Sequence, residues 1–301
     1  MRLRFAKIAI AGMLVSAAFA LSASAQNPDT LMPEASAAKA KQILGDLINA
    51  RGGAGYLEAK EGECTGTRAQ FGHNEAIMGY VGFTDSRHYP DKERLEYAAH
   101  SHNLKSIINT VIGVEGLDWS HGGVIIALYN GDHGWTLDRS GITELPVTSV
   151  SEFMEQAKRN IDNVLRVRLK NETGWFYRFG GSDTVDLKEV EWVELTDPDG
   201  RIFRLAVDHS TRLLVRSVVT TENEETREHD DDVTIYTNYQ LKDTVWTPMQ
   251  VSRSHNGRRA AQFFYTECRY NPGFASDFFE KTGLQKRTAD AHVKKSKNDQ
   301  N

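Results

Sequence analysis

From Pro33 to Arg51 the apolar residues Ala40, Ile43, Leu44, Leu47 and Ile48 recur at helical spacing, and Gly52-Gly53 follows. One face of a 3.6-residue period is therefore apolar and a glycine pair supplies the stop, so the pattern predicts an amphipathic helix. A second helix is predicted from about Val150 to Leu169, with Phe153, Ala157, Ile161, Val164 and Arg168 on one stripe and Ser149 with Glu152 at capping-box spacing. Each helix has an apolar face that must cover something.

Nearly everything else reads as short strands punctuated by turns. The runs are Glu61 to Phe71, Met78 to Thr84, Glu93 to Ser101, Lys105 to Val114, Val124 to Asn130, His133 to Arg139 and Trp175 to Phe179. They continue with Val185 to Thr196, Arg201 to Asp208, Leu213 to Thr221, Val233 to Tyr239, Thr247 to Ser254 and Arg258 to Tyr270. Phe203, Leu205 and Val207 alternate with Arg204 and Asp208, which gives one strand an apolar and a polar face. Asp197-Pro198-Asp199-Gly200 and Asn256-Gly257 carry hairpin-turn chemistry. A mainly β (α+β) fold follows, with a meandering antiparallel sheet and helices on one face. So many strands would curl into a barrel or an open half-barrel. The acidic run Glu222 to Asp232 is read as a solvated hairpin end, since its spacing matches no calcium loop.

The N-terminus carries an address. Arg2, Arg4 and Lys7 precede the apolar run Ile8 to Leu21, and Ala23-Ser24-Ala25 offers a small-residue cleavage signal before Gln26. The run is shorter than the roughly 20 residues that span a bilayer. Residues 1–25 are thus read as a cleaved signal peptide, 26–284 as a single domain and 285–301 as a disordered polar tail. The expected location is the periplasm, free in solution after cleavage. The net charge of −5 falls to −8 when those three cations leave, which argues against nucleic-acid partners. With 40% hydrophobic and 26% charged residues, the chain is no collagen, coiled coil or disordered polymer. Cys64 and Cys268 would meet an oxidising compartment, where a bridge and a pair of buried thiols are both open readings.

Candidate chemistry is sparse. His100 and His102 would share a strand face, and His121 and His133 could complete a metal site by folding, but no HExxH or CxxC spacing supports one. Hydrogen-bonded or surface histidines are the preferred reading, and neither metal nor cofactor is expected. There is no G-x-S-x-G, P-loop or dinucleotide fingerprint. Trp135, Trp175, Trp192 and Trp246 could line a ligand site, although aromatics in strands more often pack.

The order of elements resembles a known family. The helix ending in Gly52-Gly53 is followed by Tyr89-Pro90-Asp91-Lys92-Glu93-Arg94 and then Asn130-Gly131-Asp132-His133-Gly134-Trp135. Asp199-Gly200, Asp208-His209-Ser210-Thr211-Arg212-Leu213-Leu214, Trp246-Thr247-Pro248 and Tyr270-Asn271-Pro272-Gly273 with Phe278-Phe279 come next. Over roughly residues 35–280 this succession resembles the periplasmic outer-membrane lipoprotein carrier superfamily, LolA/LolB-like. The resemblance implies an open antiparallel half-barrel of about 11 strands with helices covering the concave face. It implies an apolar cavity that shields lipid or lipoprotein acyl chains without chemistry, with membrane-associated donor or acceptor proteins as partners. The dedicated carriers are shorter and set an Arg on an early strand against the lid; Arg68 lies in the comparable region.

On this view Trp192, Phe203, Leu205, Val207 and Met249 are the cavity candidates, and Ile43, Leu47, Phe153 and Ile161 the lid-helix candidates. A sensory module that binds a protein on the same fold, and a cofactor-free enzyme using the cavity, are the alternatives.

Overall fold

Period-two alternation produces one continuous sheet. The computed structural model describes residues 30–72, 74–99, 123–222 and 227–287. Six strands come first: β1 Glu61–Phe71, β2 Ile77–His88, β3 Lys92–Ala99, β4 Gly123–Asn130, β5 His133–Asp138 and β6 Gly141–Glu144. Seven more follow the central helices: β7 Phe176–Val185, β8 Lys188–Thr196, β9 Ile202–Asp208, β10 Leu214–Glu222, β11 His229–Lys242, β12 Val245–His255 and β13 Arg258–Tyr270. The sheet order is β6-β5-β4-β3-β2-β1-β13-β12-β11-β10-β9-β8-β7, so two meanders meet at the β1–β13 seam and, among the described residues, β6 and β7 are the free edges. Among the described residues thirteen strands form this open half-barrel, where the resemblance implied about 11. The signal segment, the predicted strand Lys105 to Val114, His100, His102, His121 and residues 288–301 lie outside the described residues.

The extra strand length has local causes. The sequence predicts strands Trp175 to Phe179 and Val185 to Thr196 and assigns no strand to residues 180–184. Instead β7 runs through the glycines with a register shift between Phe179 and Gly181, and a Cβ at Gly180 would sit 2.9 Å from that of Trp192. The pair makes a bulge and a close approach, as glycine permits. The true turn is Asp186-Leu187, both with positive φ. Asn256-Gly257 likewise has positive φ at both residues, the two-residue hairpin geometry its sequence demands.

Helix α1, Pro33–Arg51, matches its predicted span, and the short α2, Ala54–Glu58, follows the glycine pair. Ala40, Ile43, Leu44 and Leu47 bury their stripe against Phe179, Val193, Leu195, Phe203 and Leu205 of the sheet. The second predicted helix is broken. Helix α3 covers Val147–Arg159, and the helical segment α4 covers 161–171 with a π-helical turn at Val164–Arg168. Helix α3 begins two residues before Ser149, with Pro146 at its cap, so Ser149 and Glu152 form no capping box. Asn160 adopts extended backbone and caps α4, its Oδ1 accepting from the Asn163 amide at 3.1 Å. Asn163 in turn donates to the Ala157 carbonyl at 2.9 Å, which also accepts from the Asn160 amide and so closes the α3 end. The break sends the apolar stripe to two places: Phe153 joins the β2–β4 side, while Ile161 and Val164 join the α1 side.

The convex face of β4–β6 is covered by the C-terminal segment. Phe279 and Leu284 pack on Ile126, Leu128 and Leu137, and residues 281–287 are helical, so ordered structure extends into the stretch expected to be a tail from 285 onward. With Ile125 and Ala127 facing the other way, β4 is apolar on both faces, which explains its continuous hydrophobic run.

Two covalent or ionic ties hold these layers. Cys64 and Cys268 face each other across the β1–β13 seam and are bridged, closing a separation of 204 residues. At the helix junction the Asp162 carboxylate accepts from the Tyr56 hydroxyl at 2.7 Å and lies 3.4 Å from Arg51. Burial alone would raise the Asp162 pKa; Arg51, Arg166 and the Tyr56 hydroxyl overcome it and hold it at about 2.

Both ties have measurable consequences. In urea unfolding, Cys64→Ser with Cys268→Ser costs about 2–5 kcal/mol relative to the oxidised protein. Asp162→Asn costs about 2–4 kcal/mol at neutral pH, because Arg51 is left buried without its counter-ion. Since the Asp162 pKa is depressed in the fold, its contribution is complete above about pH 4 and fades as pH falls towards about 2. Stability of the Asn variant should therefore lack that part of the acid limb in a pH series of melts.

Candidate ligand cavity

The concave face is filled on one side and hollow on the other. Beneath α1 and α4 the β7–β10 half is solid core. Helix α3 instead stands off the floor made by β1–β4 and β10–β13, leaving a cavity of about 670 Å³. That volume is within the range of small-molecule sites, roughly 300–1,000 Å³.

Aromatic side chains make much of its wall. Tyr129 of β4 stacks on Phe153 of α3 with ring centres 4.3 Å apart, and Phe83 meets Phe263 and Tyr265 edge-on at 5.7 Å each. Between them are charged groups. Arg87 donates to Asp85 at 2.8 Å and to Glu93 at 2.5 Å. Arg159 of α3 reaches Asp232 of β11 at 3.1 Å. Arg68 lies beside the Tyr97 hydroxyl of β3 and 5.1 Å over the Phe263 ring of β13. Burial pushes the Tyr97 and Tyr265 hydroxyls up to about 12, which keeps them neutral donors. Burial likewise raises Glu93 to about 7 against the opposing pull of Arg87. The expected apolar hollow is thus amphipathic.

The sequence-derived candidates fall in several places. Phe203, Leu205 and Val207 are fully buried, in one core with Ile43 and Leu47, and are not among the residues lining this hollow. Trp192 pairs with Ala206 and Val193 with Leu205, so Trp192 is on the opposite face of the sheet from those three. It packs there with Val185, Val190, Ala206 and Val215, under the Arg204 guanidinium at 4.9 Å. Met249 is buried but does not line the hollow. Of the helix candidates, Phe153 and Ile161 do line it. Of the histidines considered as ligands, His133 is described: it is exposed and stacks on Trp135. Among the described residues no group of three or more His, Cys, Asp or Glu is placed to hold a metal. Nor is any helix among them long and apolar enough to cross a membrane.

The groups that do line the hollow, Arg68, Gln70, Tyr97, Arg253 and Phe263, were not singled out as cavity residues from the sequence. A signal existed. Arg68 and Gln70 share one strand phase, as do Val251 and Arg253, and register sets that phase beside buried Phe263 and Ala261. Polar residues in the buried phase of a strand mark a wetted interior.

An unclosed antiparallel half-barrel with helices over its concave face and a hollow beneath one of them is a recognisable class of fold. Solved structures specify which: the chain has the LolA-like fold. A DUF1329 family protein from Desulfovibrio piger ATCC 29098 superposes with a TM-score of 0.53 at 12% identity, covering 81% of this chain and 98% of that one. A LolA superfamily protein from Nitrosomonas europaea gives 0.50 at 10% identity, covering 81% and 99%. An outer membrane lipoprotein-sorting protein domain from Vibrio parahaemolyticus gives 0.50 at 9%, also covering 81% and 99%. No protein-family model matches the sequence, and no curated protein matches it significantly.

The elevated Glu93 pKa can be read directly. In a carboxyl-carbon NMR titration Glu93 should protonate near pH 7 while exposed glutamates titrate in the ordinary range. A group with a raised pKa stabilises the fold most at low pH, so its contribution declines as pH rises through about 7. Glu93→Gln should remove that decline from a pH series of melts.

Proposed function

We propose that this protein is a periplasmic carrier that shields the acyl chains of a lipid or lipoprotein in the hollow between α3 and the sheet, without catalysis. The observation that carries this reading is the 670 Å³ aromatic-walled cavity on a LolA-like half-barrel. Burying a methylene against apolar surface gains about 0.8 kcal/mol, so the aromatic part of the wall favours holding a chain. The lipoprotein-sorting domain with the same fold and the export-type N-terminus support the reading. Membrane-associated donor or acceptor proteins would complete such a cycle.

Leu205→Arg would test folding and not binding, since Leu205 is core. Ala127, buried on the cavity floor, is the better position. Residues 26–301, purified from a periplasm without detergent and extracted with organic solvent, should yield near-stoichiometric lipid or lipoprotein acyl chains by mass spectrometry. Ala127→Phe should lower that occupancy several-fold while leaving a cooperative melt. A folded wild type free of lipid overturns the proposal and turns attention to a protein partner or to chemistry in the cavity.

A further inference from the structure

The cations of the cavity are of two kinds. Arg87 and Arg159 are spoken for by Asp85, Glu93 and Asp232. Arg68 and Arg253 have no ion pair among the described residues, and the Arg68 Nε is buried with no hydrogen-bond partner there. Both guanidinium groups sit over one ring, at 5.1 Å and 5.0 Å from the centre of Phe263. Glu93, whose charge Arg253 favours, is already bound to Arg87. Burial, with the like charge of Arg253, lowers the Arg68 pKa, as befits a cation lacking a counter-ion.

A third group completes the arrangement. Gln70 lies two residues along β1 from Arg68, so both project from the same face, roughly 7 Å apart. It is buried, and its Oε1 has no hydrogen-bond partner among the described residues. In register, Gln70 and Arg253 flank Ala261 across β13, one row from Arg68 and Phe263. The small Ala261 side chain leaves room between the flanking polar groups. Arg253 is exposed and Arg68 half-buried, but the Arg68 Nε and the Gln70 Oε1 are buried atoms left unpaired, which is costly, and one ligand that brings an anionic oxygen and a hydroxyl serves both beside the Arg253 charge.

We propose that Arg68, Arg253 and Gln70 form a subsite for the oxyanion of an amphiphile, a phosphate or carboxylate head whose chain runs over the aromatic floor. This rests on the carrier reading and narrows its cargo to acidic amphiphiles.

Calorimetry with the mature chain tests it, using dioctanoyl phosphatidic acid, octanoic acid, uncharged dioctanoylglycerol and inorganic phosphate as separate probes. The wild type should prefer the phosphatidic acid over dioctanoylglycerol by about tenfold or more, since a charge-assisted contact is gained. That ratio should fall towards one in Arg68→Gln and remain partly intact in Arg68→Lys. Arg253→Gln gives a second route should Arg68→Gln fail to fold, and should also reduce the ratio. Equal affinity for charged and uncharged lipid in the wild type, or a ratio unchanged by both Gln variants, overturns the subsite but leaves the carrier reading standing. Arg68-dependent binding of inorganic phosphate, with neither lipid bound, keeps the oxyanion site and overturns the carrier reading. No binding of any probe overturns both. Octanoic acid against phosphatidic acid then separates carboxylate from phosphate heads.

Discussion

The helix junction is organised around one half-buried carboxylate whose cationic partners, Arg51 and Arg166, are buried. Asp162 sits where the end of α1, the short α2 and the start of α4 meet, and three of its neighbours come from those elements: Arg51, Tyr56 and Arg166. Arg166 extends the junction to the strands. Its guanidinium lies 4.1 Å from the Tyr56 ring, 4.7 Å from Tyr89 and 5.4 Å from Tyr270, and it donates to the Ala59 carbonyl at 2.7 Å. Buried charges of this kind contribute little net energy over an apolar substitute, but their loss one partner at a time is expensive. They therefore specify a geometry, and the geometry specified is the position of α4 against the β1–β13 seam.

That seam is where the two meanders become one sheet, with Cys64 and Cys268 facing each other across it. A flat sheet of this width would not enclose anything; twist and bulges curl it. The β1 register shifts at Gly66, where a Cβ would meet the Phe264 carbonyl oxygen at 2.2 Å, so no larger residue fits without movement. The free edges β6 and β7 are joined in sequence by α3 and α4, which cross the concave side between them. A helical crossover anchored at one end and standing off at the other yields a half that is filled and a half that is hollow.

Much of this was legible in the sequence, and what was not has a common cause. Helix α1, the strand carrying Phe203 and Leu205, and the turns at Gly200 and Gly257 depend on local chemistry that a short window contains. The β7 bulge was missed because Gly180-Gly181 has the same composition as a turn; only the opposing Trp192 shows why glycine is needed. The break at Asn160 was missed because the apolar stripe runs through it unbroken, and what divides it is a choice of two packing partners. Core and cavity wall are the same pattern seen from one strand. Phe203 and Phe263 each have one polar chain neighbour, Arg204 and Gln262, and only the helix above each decides that one is core and the other a wall.

The hollow half is also the more lightly held. Helix α4 is tied by buried groups: Arg168 reaches Glu172, the Lys158 carbonyl and fully buried Asp197, and stacks on Trp175. Helix α3 relies on the Tyr129–Phe153 stack and on partly exposed ion pairs, Arg201 with Glu155 and Arg159 with Asp232. Such pairs are worth about 0–1 kcal/mol each, and an aromatic stack about 0.5–1.5 beyond its buried area. Asn160 separates the two helices, and Asn163 and Arg168 of α4 hold only the last turn of α3, through the Ala157 and Lys158 carbonyls. Rigidity is concentrated where the fold must be specified, and the weaker contacts lie over the space that a ligand would have to enter.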